Sequence, residues 1–174
     1  LIVVNKWNTI PDGYQTELTT LSNGKQVDSR IYPALQDLFD AMRADGIYPI
    51  VREGYRTTTD QQSILDDKIK AYEQEGLSSL LAKKMASEWV AAPGTSEHQL
   101  GIAVDINADK TKSTNDEVYT WLAEHAWEYG FILRYPKDKE NVTGTGYEPW
   151  HYRYVGKEAA KEIWQEGCCL EEYV

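Results

Sequence analysis

The stretch from Ser96 to Asp105 reads S-E-H-Q-L-G-I-A-V-D and sets His98 seven residues before Asp105, with a glycine and an apolar run between them. A second cluster, E-P-W-H, runs from Glu148 to His151. Together they offer two imidazoles, one carboxylate able to bind a metal and one carboxylate left free. Three protein ligands, an open fourth position and a nearby base are the parts of a catalytic zinc site. His98, Asp105 and His151 are the candidate ligands of one Zn²⁺, and two nitrogens with one oxygen suit zinc best among divalent ions. Glu148 is the candidate base: Pro149 bends the chain after it, so it can take a proton from water and deliver it to a leaving amine. Arg56, in G-Y-R-T, is the candidate cation for an oxyanion or a substrate carboxylate. Plainer readings exist: a chance His–Asp pair, an aromatic-like His151, a solvated Glu148, an Arg56 in a surface ion pair. Two of the chain's three histidines fall in the two clusters, which tells against them. The third, His125, lies near the apolar face of its helix and reads as structural. Trp150 stands between Glu148 and His151, beside any site there.

The elements that must position these residues follow from periodicity and punctuation. Residues 1–30 mix short strands with turns, and Ser22-Asn23-Gly24-Lys25 is a turn signal. Ile31, Leu35, Leu38, Phe39 and Met42 recur at helical spacing, ended by Asp45-Gly46. Ile47 to Val51 reads as a strand, with Pro49 implying an edge or a bulge. Thr59, with Gln62, is expected to cap a helix ending near Gly76. Ser78 or Ser79 starts another, with Leu81, Met85 and Trp89 inward. Residues 94–99 read as a loop carrying His98, and Gly101 to Ile106 as a buried strand carrying Asp105. Thr114 or Asn115 caps a helix bearing Val118, Leu122, Ala126 and Tyr129 and closed by Gly130. Strands over 131–135 and 151–155 and a last helix near 157–166 complete the chain. Unequal clumps of helices and short connections predict an α+β fold with a central, mainly antiparallel sheet flanked by helices.

The 174 residues suit one domain, 1–174. A net charge of -10 disfavours a nucleic-acid partner, whose binding surface would have to be basic. It equally disfavours contact of this domain with an anionic membrane. No apolar run approaches the roughly 20 residues of a membrane helix. The chain opens at Leu1 without methionine or leader, as a processed or trimmed piece would, so an N-terminal signal or anchor would lie outside it. Cys168 and Cys169 are adjacent and read as thiols, because a disulfide is hard to close across one peptide bond.

The pattern S-x-H-x-x-G-x-A-x-D followed by E-x-x-H resembles that of the zinc D-alanyl-D-alanine carboxypeptidases of the VanY type. These share a fold with the D,D-dipeptidases, the N-terminal domain of Sonic hedgehog and certain L,D-carboxypeptidases. The likeness covers most of the chain, through Val4-Asn5-Lys6, Gly54-Tyr55-Arg56-Thr57 with Gln61, Tyr129-Gly130-Phe131 and His151 to Gly156, with no departure at the ligand positions. It implies that His98, Asp105 and His151 bind Zn²⁺, that Glu148 is general base and acid, and that Arg56 meets the substrate carbonyl. It further implies that Ser96 and Gln61 bind the peptide terminus and that Trp150 lines the pocket for the terminal alanine. The implied substrate is a peptidoglycan stem peptide ending in D-Ala-D-Ala. The implied setting is a monomer on the wall side of a Gram-positive membrane, with a part in vancomycin resistance. An L,D-carboxypeptidase acting on tetrapeptide stems and a non-catalytic wall-binding module of the same fold are the competing expectations.

Overall fold

The computed structural model describes residues 1–174. A hairpin comes first, β1 (Leu18–Thr20) and β2 (Gln26–Asp28), joined through the expected turn. Helix α1 (Tyr32–Ala44) follows, and its buried Leu35, Leu38, Phe39 and Met42 form the stripe that the spacing predicted. Strand β3 (Pro49–Glu53) then leads into α2 (Thr58–Gln74) and α3 (Ser79–Ala86). Beyond them lie β4 (Ala103–Ala108), α4 (Asn115–His125), β5 (Phe131–Leu133), the short α5 (Glu140–Thr143), β6 (His151–Tyr154), α6 (Lys157–Glu166) and α7 (Leu170–Tyr173).

Strands β3, β4, β6 and β5 form one sheet in that order, every pair antiparallel, so the α+β expectation holds. β3 is an edge strand with a register shift between Val51 and Glu53, so Pro49 signalled both an edge and a bulge. Alternation divides the sheet's two faces. Val104 and Ile106 of β4 and Tyr152 of β6 join Leu38, Met42, Val118 and Leu122 in the main core. Asp105, His151 and Arg153 therefore point to the other face. A smaller cluster of Ile132, Ala160, Ile163 and Leu170 holds α6 and α7 against β5.

Several boundaries differ from expectation. Helix α2 is capped by Thr57, whose side chain and that of Asp60 complete a reciprocal capping box, not by Thr59 with Gln62. The earlier start sets the helix directly after Arg56. In α3 the buried residues are Ala82 and Ala86, whereas Leu81 is 43% and Trp89 44% exposed. Small residues let α3 approach α2 closely, and Trp89 falls beyond the helix end. His98 sits not in open loop but on a 3-10 turn, Glu97–Leu100. Gly101 closes that turn at φ 80°, a left-handed conformation, so the strand begins only at Ala103. The helix expected to reach Tyr129 tightens into a 3-10 turn over Ala126–Tyr129 before Gly130. Strand β5 ends at Leu133, short of Tyr135. No helix is long and apolar enough to cross a membrane.

Candidate metal centre

Asp105 and His151 are direct cross-strand partners in the β4–β6 ladder, so sheet register alone brings them together. His98 reaches the same place from the 3-10 turn, which is pinned by the bond from Arg56 N–H to the His98 carbonyl at 3.1 Å. The hairpin braces this corner from outside. Tyr55 N–H donates to Gln26 O at 2.7 Å, and Asp28 N–H to Gly101 O at 2.8 Å.

The three side chains are buried, and their donor atoms all lie within 4.8 Å of one another. His98 Nε2 and His151 Nδ1 are each 3.2 Å from Asp105 Oδ1. That oxygen is buried and has no aligned hydrogen bond. The far side of each ring is engaged: His98 Nδ1 lies 3.0 Å from the carbonyl oxygen of Gly54, and His151 Nε2 2.8 Å from Glu97 Oε1. Both partners only accept, so those nitrogens keep their protons, and His98 Nε2 and His151 Nδ1, the nitrogens left for a metal, face Asp105. An orphaned carboxylate oxygen and two imidazole nitrogens converging on one point fit a divalent cation, zinc above all. The rings also meet edge to face, with centroids 4.7 Å apart.

The electrostatics agree with a site built to exchange a proton for a metal. Burial alone would lower the His151 pKa, but the carboxylates of Asp105 and Glu97 on either side of the ring carry it up to about 9. His98 is pushed down by burial, against the pull of Asp105. Burial would raise Asp105, yet the two histidines hold it well below the usual carboxylate range. Metal binding requires both imidazoles neutral, so it must release the proton from His151.

Glu148 stands just outside the ligand group, its Oε1 3.7 Å from His151 Nδ1. Burial foremost, with the Asp105 charge adding, raises its pKa to about 7 against the opposing effects of His151 and Arg56. A carboxylate poised near neutrality is suited to taking and returning a proton. Arg56 lies along the rim, its guanidinium 3.7 Å from Asp105 Oδ2, and its buried Nε has no hydrogen-bond partner. Gln61 accepts from Arg56 at 3.3 Å and donates to Ala91 O at 2.7 Å, so its amide is spent on holding the arginine. The Ser96 oxygen accepts from His98 N–H at 3.3 Å, which leaves its own proton free to donate.

Arg56, Gln61, Ser96, Glu148 and Trp150 line one open cleft of about 280 Å³ together with the three ligand candidates. Tyr135 also lines it, its ring 4.7 Å from that of His151. His125 is remote from the cleft, pairs with Glu128 at 3.1 Å and packs at a tilt against Trp121.

Sequence reasoning missed Glu97, Arg134 and Tyr135. Glu97 lies inside the S-E-H motif, but nothing local distinguishes a fully buried glutamate from a solvated one. Its three cationic or imidazole partners come from 37 to 56 positions away.

A family model described as VanY: D-alanyl-D-alanine carboxypeptidase matches residues 24–157. The D-alanyl-D-alanine carboxypeptidase of Enterococcus faecalis is 60% identical over 174 residues, which is 100% of this chain and 65% of that protein. The chain thus spans somewhat under two thirds of that relative's length. Two solved structures superpose with a TM-score of 0.97 at 60% identity over 99% of this chain. One is a mutant of the vancomycin resistance D,D-pentapeptidase VanY from a VanB-type cassette in complex with Zn(II), of which 97% is covered. The other is VanYB in complex with D-alanine-D-alanine, of which 95% is covered. The fold is the one these structures share, and likeness of this extent across the whole sheet and both motif clusters means that the chain belongs to the VanY family of D-alanyl-D-alanine carboxypeptidases.

Proposed function

We propose that residues 1–174 form one zinc-dependent D,D-carboxypeptidase domain that hydrolyses the terminal D-Ala from peptidoglycan stem peptides ending in D-Ala-D-Ala. The observation that carries this reading is the orphaned Asp105 Oδ1 between His98 Nε2 and His151 Nδ1, with the unligated Glu148 beside them. Support comes from the 60% identical structures, one holding Zn(II) and one D-alanine-D-alanine.

His98, Asp105 and His151 hold the metal. A zinc ion held there would supply Lewis acidity, acidifying water and polarising a carbonyl. Glu148 takes the proton of the attacking water and passes it to the leaving amine. Arg56 turns its unused donors to the substrate carbonyl as negative charge develops on it. Gln61 holds Arg56 in place, Ser96 donates to the peptide terminus, and Trp150 packs against the terminal alanine. The domain works as a monomer on the wall side of a Gram-positive membrane, where removal of D-Ala-D-Ala termini contributes to vancomycin resistance.

The test is release of D-Ala from a stem pentapeptide, with and without a chelator, beside a tetrapeptide. Zinc-dependent cleavage of the pentapeptide is expected. Activity that survives complete metal removal defeats the proposal. Preference for the tetrapeptide would make the enzyme an L,D-carboxypeptidase, and peptide binding without hydrolysis a wall-binding module.

A further inference from the structure

Behind His151, away from the cleft, lies a buried ionic chain that the reaction does not touch. Glu97 is fully buried, and both its oxygens are used. Oε1 accepts from His151 Nε2 at 2.8 Å, and Oε2 accepts from Arg134 Nε at 2.9 Å and from an Arg153 terminal nitrogen at 3.1 Å. Arg134 is also fully buried, and its two terminal nitrogens grip Glu171 of α7 bidentately, each at 2.7 Å. Glu171 in turn accepts from Asn5 Nδ2 at 3.0 Å. The chain of contacts therefore runs from a metal-ligand candidate to two residues, Asn5 and Glu171, that lie outside the stretch 24–157 matched by the family model.

Buried ion pairs of this kind are weak sources of stability, because desolvation consumes most of what the charges gain. A carboxylate behind a metal-binding imidazole has a different use: it fixes the tautomer, aims the ring and raises its basicity. Glu97 can do this only while Arg134 and Arg153 occupy its second oxygen and balance its charge. Arg134 in turn is held in that pose by Glu171. We infer that Glu97 is a positioning residue for the metal centre, and that the Arg134–Glu171 clamp, closed by α7 and Asn5, sets the centre's metal affinity. This inference rests on the proposed metal site.

The substitution Glu97→Gln probes the tautomer directly. Its amide must turn either its NH₂ toward His151 Nε2, which forces the ring proton onto the nitrogen meant for the metal, or its NH₂ toward two guanidinium groups. Zinc dissociation constants would be measured by competition with a chromophoric chelator for the wild type, E97Q, E171Q and Met42→Ala, with circular dichroism to report folding. Met42 is buried in the α1 core, so M42A lowers stability without touching the chain of contacts. The wild type is expected to bind one zinc, E97Q to bind it about 10- to 100-fold more weakly with its fold intact, and E171Q to bind it several-fold more weakly. M42A is expected to lower the melting temperature with zinc affinity unchanged. Wild-type affinity in E97Q and E171Q, or an equal loss in M42A, overturns the positioning role while leaving the metal site standing. Should E97Q not fold, E171Q decides by the same criterion. A wild type that binds no zinc overturns both readings.

Discussion

A methyl group added at Gly54 would sit 2.3 Å from the carbonyl oxygen of Gln26 and 3.3 Å from its carbonyl carbon. Carbon and oxygen ordinarily approach to about 3.3 Å, so Gly54→Ala must open roughly 1 Å between two backbones. The obstacle cannot rotate aside, because Gln26 O is held by Tyr55 N–H within the β2 contact. Forced displacement in a packed interior costs about 1–3 kcal/mol. At about 2–4 °C per kcal/mol for a domain of this size, the metal-free variant should melt about 2–12 °C below wild type. The sign is diagnostic, because Gly54 is not among the glycines with positive φ. Without the clash, alanine there would stabilise by about 0.4–1 kcal/mol through the unfolded chain. The damage should reach the metal centre as well. The Gly54 carbonyl faces His98 Nδ1 at 3.0 Å, and a shift of about 1 Å stretches that contact beyond hydrogen-bonding range. Loss of such a partner weakens metal binding about 10-fold or more. Thermal denaturation of the metal-free protein and zinc competition with a chelator measure the two effects separately. A variant that melts at or above wild type and binds zinc unchanged would refute the reasoning.

Glu148→Gln should lower kcat about 10²- to 10⁴-fold while the zinc content stays at one per chain, and retained turnover would remove Glu148 from proton transfer. Arg56→Lys keeps the charge but loses the planar fork, so kcat/KM should fall about 10²- to 10³-fold with metal affinity preserved. Chelation should lower the melting temperature by about 5–11 °C relative to protein at 100 times its zinc dissociation constant, and an unchanged melt speaks against a preformed site. The acid limb of stability should depend on Asp28. Burial alone would raise its pKa, but Arg30 and Thr16 hydrogen-bond the carboxylate and leave it lowered. A group depressed in the fold stabilises above its unfolded pKa of about 3.9, and that contribution is lost as pH falls through the lower folded value. Melting curves between pH 6 and pH 2 should therefore show a shallower acid loss in Asp28→Asn than in wild type, and parallel curves would contradict this.

The two motif clusters, the α1 stripe, the Pro49 edge and the α+β class were legible in residue order because each depends on types and spacings within one short window. Three features were decided only by the folded chain. Antiparallel register made Asp105 and His151 neighbours across β4 and β6. Close approach of Gly54 to Gln26 set the carbonyl that orients His98. Packing of the chain's distant parts turned Glu97 into a fully buried anion with partners on β6, after β5 and, through Arg134, on α7. The physical reason is the same in each case. A residue's type and local spacing state what it can donate or accept, whereas burial and the identity of its partner arise from contacts between segments that no local pattern links.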